Sequence, residues 1–255
     1  MTVRHGLTNS EWFEIEHLLP GNKSDPGVTA ANNRLFVDAI LYRYRTGVPW
    51  RDLPPHFGDF RVIHTRFMRW ARNGIWENIF RVLSIDTDTE YAMIDSTINR
   101  AHQHSSGAKN SSKKSECIGK SKDGLSAKVH AICDALGNPI DFFLTPGEAH
   151  DLDGADTLIP CIINKIGKLL ADKAYDAKIR VLDVLSANDV EAVIPPKSNR
   201  AEIRDFDKKT YKSRSLIENM FCKLKQYRAI ATRYDKLAIS YLSGIYLSAS
   251  LIWLA

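Results

Sequence analysis

The sequence predicts an α/β protein: a mixed sheet with helices on its faces, preceded by a small helical N-terminal segment. Three features predict it. Residues 8–85 read as helical throughout, the texture changes to strand-like runs near residue 88, and strands and helices then succeed one another in an order that builds a mixed sheet. With 255 residues and 44% hydrophobic content, the chain is long enough to bury a full core.

In the helical part, Thr8 and Glu11 form a capping box before a first helix that ends at Pro20. A second helix over 32–47 stops at Gly47, and a third over 61–83 follows the Pro- and Gly-rich "VPWRDLPPHFGD". Arg66, Arg69 and Arg72 recur at every third position of that third helix, as a recognition helix presents them. Residues 1–87 are therefore expected to form a DNA-binding unit of helix-turn-helix type, although three exposed arginines also solvate an ordinary bundle.

From residue 88 on, "EYAMIDSTI" (90–98) predicts a short strand ending at Asp95. "LSAKVHAICDALGNPIDFFLTPG" (125–147) predicts a hairpin turned at "DALGNP". Between them, 102–124 is rich in Ser, Lys and Gly and reads as a mobile basic loop carrying Lys120 and Lys122. A helix is then expected over 151–166, a strand over 168–176 with Asp172 at its end, a helix over 177–189, a strand over 190–196 and a helix over 211–230. The apolar run 237–255 is interrupted by Ser240, Ser243, Gly244, Ser248 and Ser250 and has no basic flank, so it predicts a buried helix rather than a membrane span.

Composition narrows the function classes. Four cysteines without CxxC spacing or nearby histidine pairs exclude a disulfide framework and a zinc finger, and the N-terminus lacks the apolar region of an export signal, so a cytoplasmic location is expected. The formal net charge of +5 is uneven: residues 197–236 carry twelve Lys/Arg against five Asp/Glu, and 100–128 carry seven against two, leaving the remainder acidic. Two positive segments on an acidic chain fit a protein that holds phosphate backbones.

A helix turns by about 100° per residue, so Tyr211, Arg214, Glu218 and Lys225 project within an arc of roughly 60°, beside an apolar face of Leu216, Ile217, Met220, Phe221 and Leu224. Alone, Arg214 and Glu218 read as a surface i,i+4 pair. Together with Asp95 and Asp172 at strand ends, Glu218 makes a third carboxylate that can converge on one place, with Asp176 an alternative for the second. Three converging carboxylates repel unless protonated or bound to metal. Magnesium, a hard cation that prefers oxygen ligands, resolves this, and with basic segments alongside the fitting substrate is a nucleic-acid phosphodiester.

The spacing Y-x2-R-x3-E-x6-K of Tyr211, Arg214, Glu218 and Lys225 resembles the signature of DDE-type transposases of bacterial insertion sequences, the insertion-sequence-five group in particular. The resemblance extends over "GVPWRDLP", "IDST", "AHQHSSGAKN", "IGKSKDG", "DALGNPIDFFLTPGEAHD" and "ADKAYD". The chain departs from the family at Ala174, where Gly is frequent, and at Lys122 and Asp123, where Arg and Gly are frequent.

The resemblance implies a ribonuclease-H-like domain over 88–255. Asp95, Asp172 and Glu218 would hold two Mg²⁺ ions, replaceable by Mn²⁺, with Asp95 bridging both. Tyr211, Arg214, Lys225, Lys120, Lys122, Arg66 and Arg69 would contact DNA. It further implies cleavage at the element's ends to a 3′-OH that attacks target DNA in line, by a homodimer assembled on the two ends in the nucleoid. A ribonuclease-H-like nuclease that cuts without joining, or a transposase-derived protein that only binds DNA, would share much of this sequence.

Overall fold

The computed structural model describes residues 5–254 except 23–24, 26–28, 108–111, 123 and 201–202. The helices α1 (Asn9–Ile15), α2 (Asn33–Thr46) and α3 (Phe60–Arg72) each begin where a polar side chain accepts a backbone N–H, from Thr8, Asn32 and Asp59 respectively. At α1 the capping box is complete, with Glu11 accepting in turn from the Thr8 N–H at 2.6 Å. Gly47, at φ 76°, supplies the left-handed residue that stops α2. A second left-handed glycine, Gly74, separates α3 from α4 (Ile75–Leu83), so the expected third helix is two.

The next element, β1 (Tyr91–Ala101), is eleven residues long, with Asp95 in its interior rather than at its end. The polar run after Asp95 stays extended because its backbone is bonded to a neighbour as far as Arg100, which a reading of side chains alone misses. The basic segment beyond β1 is also partly regular, holding a short α5 (Lys113–Glu116) and β2 (Gly119–Ser121), while Asp123 lies outside the described residues. The predicted hairpin is β3 (Gly124–Cys133) and β4 (Pro139–Pro146), antiparallel with Val129 opposite Leu144. Then come α6 (Asp151–Ile162), β5 (Lys168–Leu170), a π turn at Lys178–Leu182 leading into α7 (Asp183–Ser186), and β6 (Glu191–Val193).

The signature segment keeps right-handed helical backbone angles through a short 3₁₀ stretch, and the helix expected to reach residue 230 stops before Tyr227, which is extended. The segment consists of α8 (Lys208–Tyr211), a 3₁₀ turn at Lys212–Arg214 and α9 (Ser215–Lys225). The chain ends in α10 (Arg228–Ala231), β7 (Thr232–Arg233) and α11 (Ala238–Trp253).

Among the described residues the sheet has seven strands in the order β2-β3-β1-β5-β6, with β4 also on β3 and β7 also on β1. β1 is antiparallel to β3 but parallel to β5 and β7, so the sheet is mixed as expected. Alternation along β1 divides the core in two. Ala92 and Ile94 join Leu152, Leu158 and Ile162 of α6 and Val181 and Leu185 beyond it, whereas Met93 faces α9 and α11.

On α9, Ile217, Met220, Phe221 and Leu224 recur at helical spacing and are buried on this second face, each contributing about 1.5–3 kcal/mol. The same cluster takes in Tyr44, Phe67, Trp76 and Phe80, so the N-terminal helices and one sheet face share one apolar core. No described helix is long and apolar enough to cross a membrane.

Two polar centres fasten this core. Arg43 of α2 and Asp235 form an ion pair at 2.8 Å with both side chains 3% exposed, and Ser240 also donates to Asp235. The fully buried Arg233 donates to the carbonyls of Glu116, Cys117, Asp235 and Lys236, and its own carbonyl accepts from the His102 N–H.

α11 crosses α2 at Gly244, where a Cβ would stand 2.0 Å from Cζ of Tyr44. Tyr44 is buried, with its hydroxyl donating to the Ser240 carbonyl at 3.1 Å, so the ring cannot step aside. Gly244→Ala is expected to lose about 1–3 kcal/mol through overpacking and to melt several degrees lower, as read by circular dichroism.

Candidate active site

The pairing of β1 with β5 ends at Met93 and its pairing with β7 begins at Arg100, so among the described residues no strand pairs with 94–99 on that edge. Asp95 and Thr97 lie in this interval, on the face covered by α9. Asp172 comes two residues after β5 as the N-cap of a 3₁₀ turn at Lys173–Tyr175, its carboxylate accepting from the Ala174 N–H at 2.8 Å. Ala174 thus serves this turn through its backbone, in a role that does not require glycine. Asp95 and Asp172 each stand two residues past the last pair of the β1–β5 ladder, Met93 with Leu170. Burial raises the Asp95 carboxyl above the usual carboxylate range, and the charge of Asp172 pushes in the same direction.

α9 brings Glu218 to this place through Arg214. One guanidinium nitrogen of Arg214 donates to Oδ2 of Asp95 at 2.7 Å, and another donates to Oε1 of Glu218. The i,i+4 pair expected from the sequence is therefore present, but half of the guanidinium is engaged on the sheet. Lys225 donates from Nζ to Oγ1 of Thr97 at 2.6 Å, and burial lowers its pKa. Tyr211, before the 3₁₀ turn, packs edge-on against Phe206 with ring centres 5.5 Å apart.

Asp176 lies apart from this cluster. Its carboxylate has no exposed surface and accepts from Arg200 Nε at 2.9 Å and from the Lys197 N–H at 2.8 Å, so it anchors the segment after β6. Lys120 and Lys122 are exposed at the β2–β3 turn and make no described contact with the carboxylates. Arg66 is spread over the rings of Phe36 and Trp70, at 4.2 and 4.7 Å, and donates to Asn33, whereas Arg69 and Arg72 are exposed on α3.

Several neighbours were not singled out by the sequence. On the opposite face of β1, Ser96 donates to Oδ1 of Asp151 at 2.6 Å, and the largely buried Lys128 donates to the same oxygen at 2.9 Å. The phenol of Tyr175 is buried without a hydrogen-bond partner, and its pKa is raised well above the ordinary value by burial and then by the charges of Asp95, Asp151 and Asp172. Both Asp151 and Tyr175 fall in motifs the sequence displayed, "GEAHD" and "KAYD", but nothing in their spacing shows which face of the sheet they meet.

A hard divalent cation fits this donor set: two adjacent carboxylates, one of them held partly desolvated, with a third carboxylate on the covering helix. Among the described residues no three acidic, His or Cys side chains are gathered closely enough to hold a metal, and Glu218 and one oxygen of Asp95 are engaged by Arg214.

Residues 87–243, which contain Asp95, Asp172 and Glu218, match the family described as "Transposase DDE domain". The chain belongs to the DDE transposase family. Residues 7–80 match a second family, described as "Putative transposase of IS4/5 family". Among curated relatives, an uncharacterized protein, y4sN, of Sinorhizobium fredii is 43% identical over 41% of this chain and 83% of its own length. A "Putative transposase for insertion sequence element IS6501" of Brucella ovis is 34% identical over 51% of this chain and 99% of its own length. An uncharacterized 16.2 kDa protein of insertion element IS402 of Burkholderia cepacia is 31% identical over 35% of this chain and 69% of its own. No solved structure matches.

Membership makes this a protein of DNA transposition with a ribonuclease-H-like sheet, in a family whose catalytic domains use divalent metal. The two aspartates of "ADKAYD" can be told apart by stability. Asp176→Asn removes one partner of a buried pair and is expected to cost on the order of 2–3 kcal/mol, discounted for the partly exposed Arg200. Asp172→Asn keeps a competent N-cap, so in urea titrations of the two variants its midpoint should stay close to the wild type while that of Asp176→Asn falls.

Proposed function

We propose that this chain binds the terminal inverted repeats of its own insertion sequence, cuts DNA at those ends and transfers the resulting 3′-OH to target DNA. In this reading Asp95, Asp172 and Glu218 would hold two Mg²⁺ ions, for which Mn²⁺ could substitute. When bound, the ions supply Lewis-acid activation of the attacking oxygen and charge stabilisation of the leaving one. Arg214 and Lys225 orient the scissile strand by gripping its phosphates, and Tyr211 supports the start of their helix. Residues 1–87 act as the DNA-binding unit, with Arg69 at its surface and Arg66 shaping α3, while Lys120 and Lys122 meet the backbone farther out. Two copies assemble on paired ends, in the nucleoid.

One observation supports this reading above the others: Asp95 on β1 and Glu218 on α9 meet a single guanidinium, while Asp172 stands two residues past the end of the adjoining β1–β5 ladder. Strand, strand-end turn and covering helix thus deliver carboxylates and cations to one opening at the sheet edge. Asp95→Asn is expected to abolish cleavage of end-containing DNA while gel-shift affinity for that DNA is largely kept; cleavage at the wild-type rate would reject the assignment. Joined products in the wild-type reaction separate a transposase from a nuclease that only cuts.

For Lys225, whose ammonium donates to a neutral hydroxyl rather than to a carboxylate, replacement by Ala should weaken DNA binding. It should also flatten the dependence of log affinity on log salt by about one unit. An unaltered slope excludes Lys225 as a phosphate contact.

A further inference from the structure

Arg214 is the residue that joins the strand carrying Asp95 to the helix carrying Glu218. Its side chain is 20% exposed, and its two terminal nitrogens are directed at carboxylates on different elements. The other oxygen of Asp95 accepts from the Ser96 N–H at 2.8 Å, so both oxygens of that carboxylate are engaged. A cation approaching Asp95 therefore meets a guanidinium already seated on Oδ2, and two cations on one carboxylate oxygen repel strongly at close range.

The planar fork of an arginine accommodates a phosphate as well as it does a carboxylate. Lys225, donating to Thr97 two residues along the same face of β1, leaves its positive charge unopposed by a carboxylate contact, and it would draw a phosphate to this side of the sheet. A phosphate held there gives Arg214 an alternative anion within the same opening.

We infer that Arg214 exchanges Asp95 and Glu218 for a DNA phosphate, so that DNA and divalent metal bind cooperatively, each releasing what the other needs. The inference rests on the reading of Asp95 and Glu218 as metal ligands. DNA takes the guanidinium and frees two carboxylates; metal displaces the guanidinium and offers it to DNA. Linkage makes the effect reciprocal, so metal must tighten DNA by the same factor by which DNA tightens metal.

The test is a Mn²⁺ titration of the full chain followed by electron paramagnetic resonance, with and without a short DNA duplex at low salt. Wild type, Arg214→Gln, Arg214→Lys and Asp95→Asn are compared, and melting curves establish that each is folded. The duplex is expected to tighten Mn²⁺ binding to the wild type by about tenfold, within the usual range of such couplings. Arg214→Gln should bind Mn²⁺ more tightly than wild type without DNA and gain little from the duplex. Arg214→Lys, which keeps the charge but lacks the planar fork that aims two nitrogens at separate carboxylates, should fall between them.

Equal Mn²⁺ affinity of wild type and Arg214→Gln, with Asp95→Asn still weakening the metal, would overturn the exchange and leave the metal site intact. Undiminished Mn²⁺ binding in Asp95→Asn would instead overturn the metal-ligand reading, and the exchange with it.

Discussion

The site depends on where strand pairing along β1 stops. β5 accompanies β1 only as far as Met93, and β7 rejoins it at Arg100. Among the described residues, the six between them pair with β3 as their one strand neighbour, and the other edge is left to the turn that carries Asp172. Had the parallel ladder run two residues farther, Asp172 would have continued along β5 instead of capping a turn beside Asp95. Strand pairing thus builds the opening, and side chains from α9 close one side of it.

Tertiary packing makes that geometry persist. α9 is fixed by four buried apolar side chains, so Arg214, at its start, reaches Asp95 and holds Glu218 from a rigid support. Beneath β1, the Ser96–Asp151–Lys128 contacts secure the neighbouring residue from the opposite face. The N-terminal helices belong to the same core through Tyr44 and the Arg43–Asp235 pair. Any DNA contact they make is mechanically connected to the sheet through packed side chains rather than through a loose tether.

Much of this was legible locally. Helical periodicity of Ile217, Met220, Phe221 and Leu224 gave the buried face of α9, and turn chemistry at "DALGNP" gave the hairpin of β3 and β4. The failures were of range. Asp95 looked like a strand terminus because polar residues follow it, but the β3 ladder carries the strand past them. Arg214 meets Asp95 across 119 residues, a contact without local signal, and Arg66 looked like one of three equivalent arginines until Phe36 and Trp70 came beneath it. The end of the signature helix before the extended Tyr227 was likewise invisible to a pattern that counts side-chain angles and not backbone turns.

Arg233 gives the basic segment a different physical character from an ordinary surface loop. The segment is tied at its start by the His102 N–H to the Arg233 carbonyl, and at Glu116 and Cys117 by the same residue's side chain. Chain closed between two fixed points has an entropy that varies only with the logarithm of its length, about 0.6 kcal/mol for each doubling. Insertion or deletion of residues between those ties therefore adds little to the closure cost, and the sheet that Arg233 joins stays as it is.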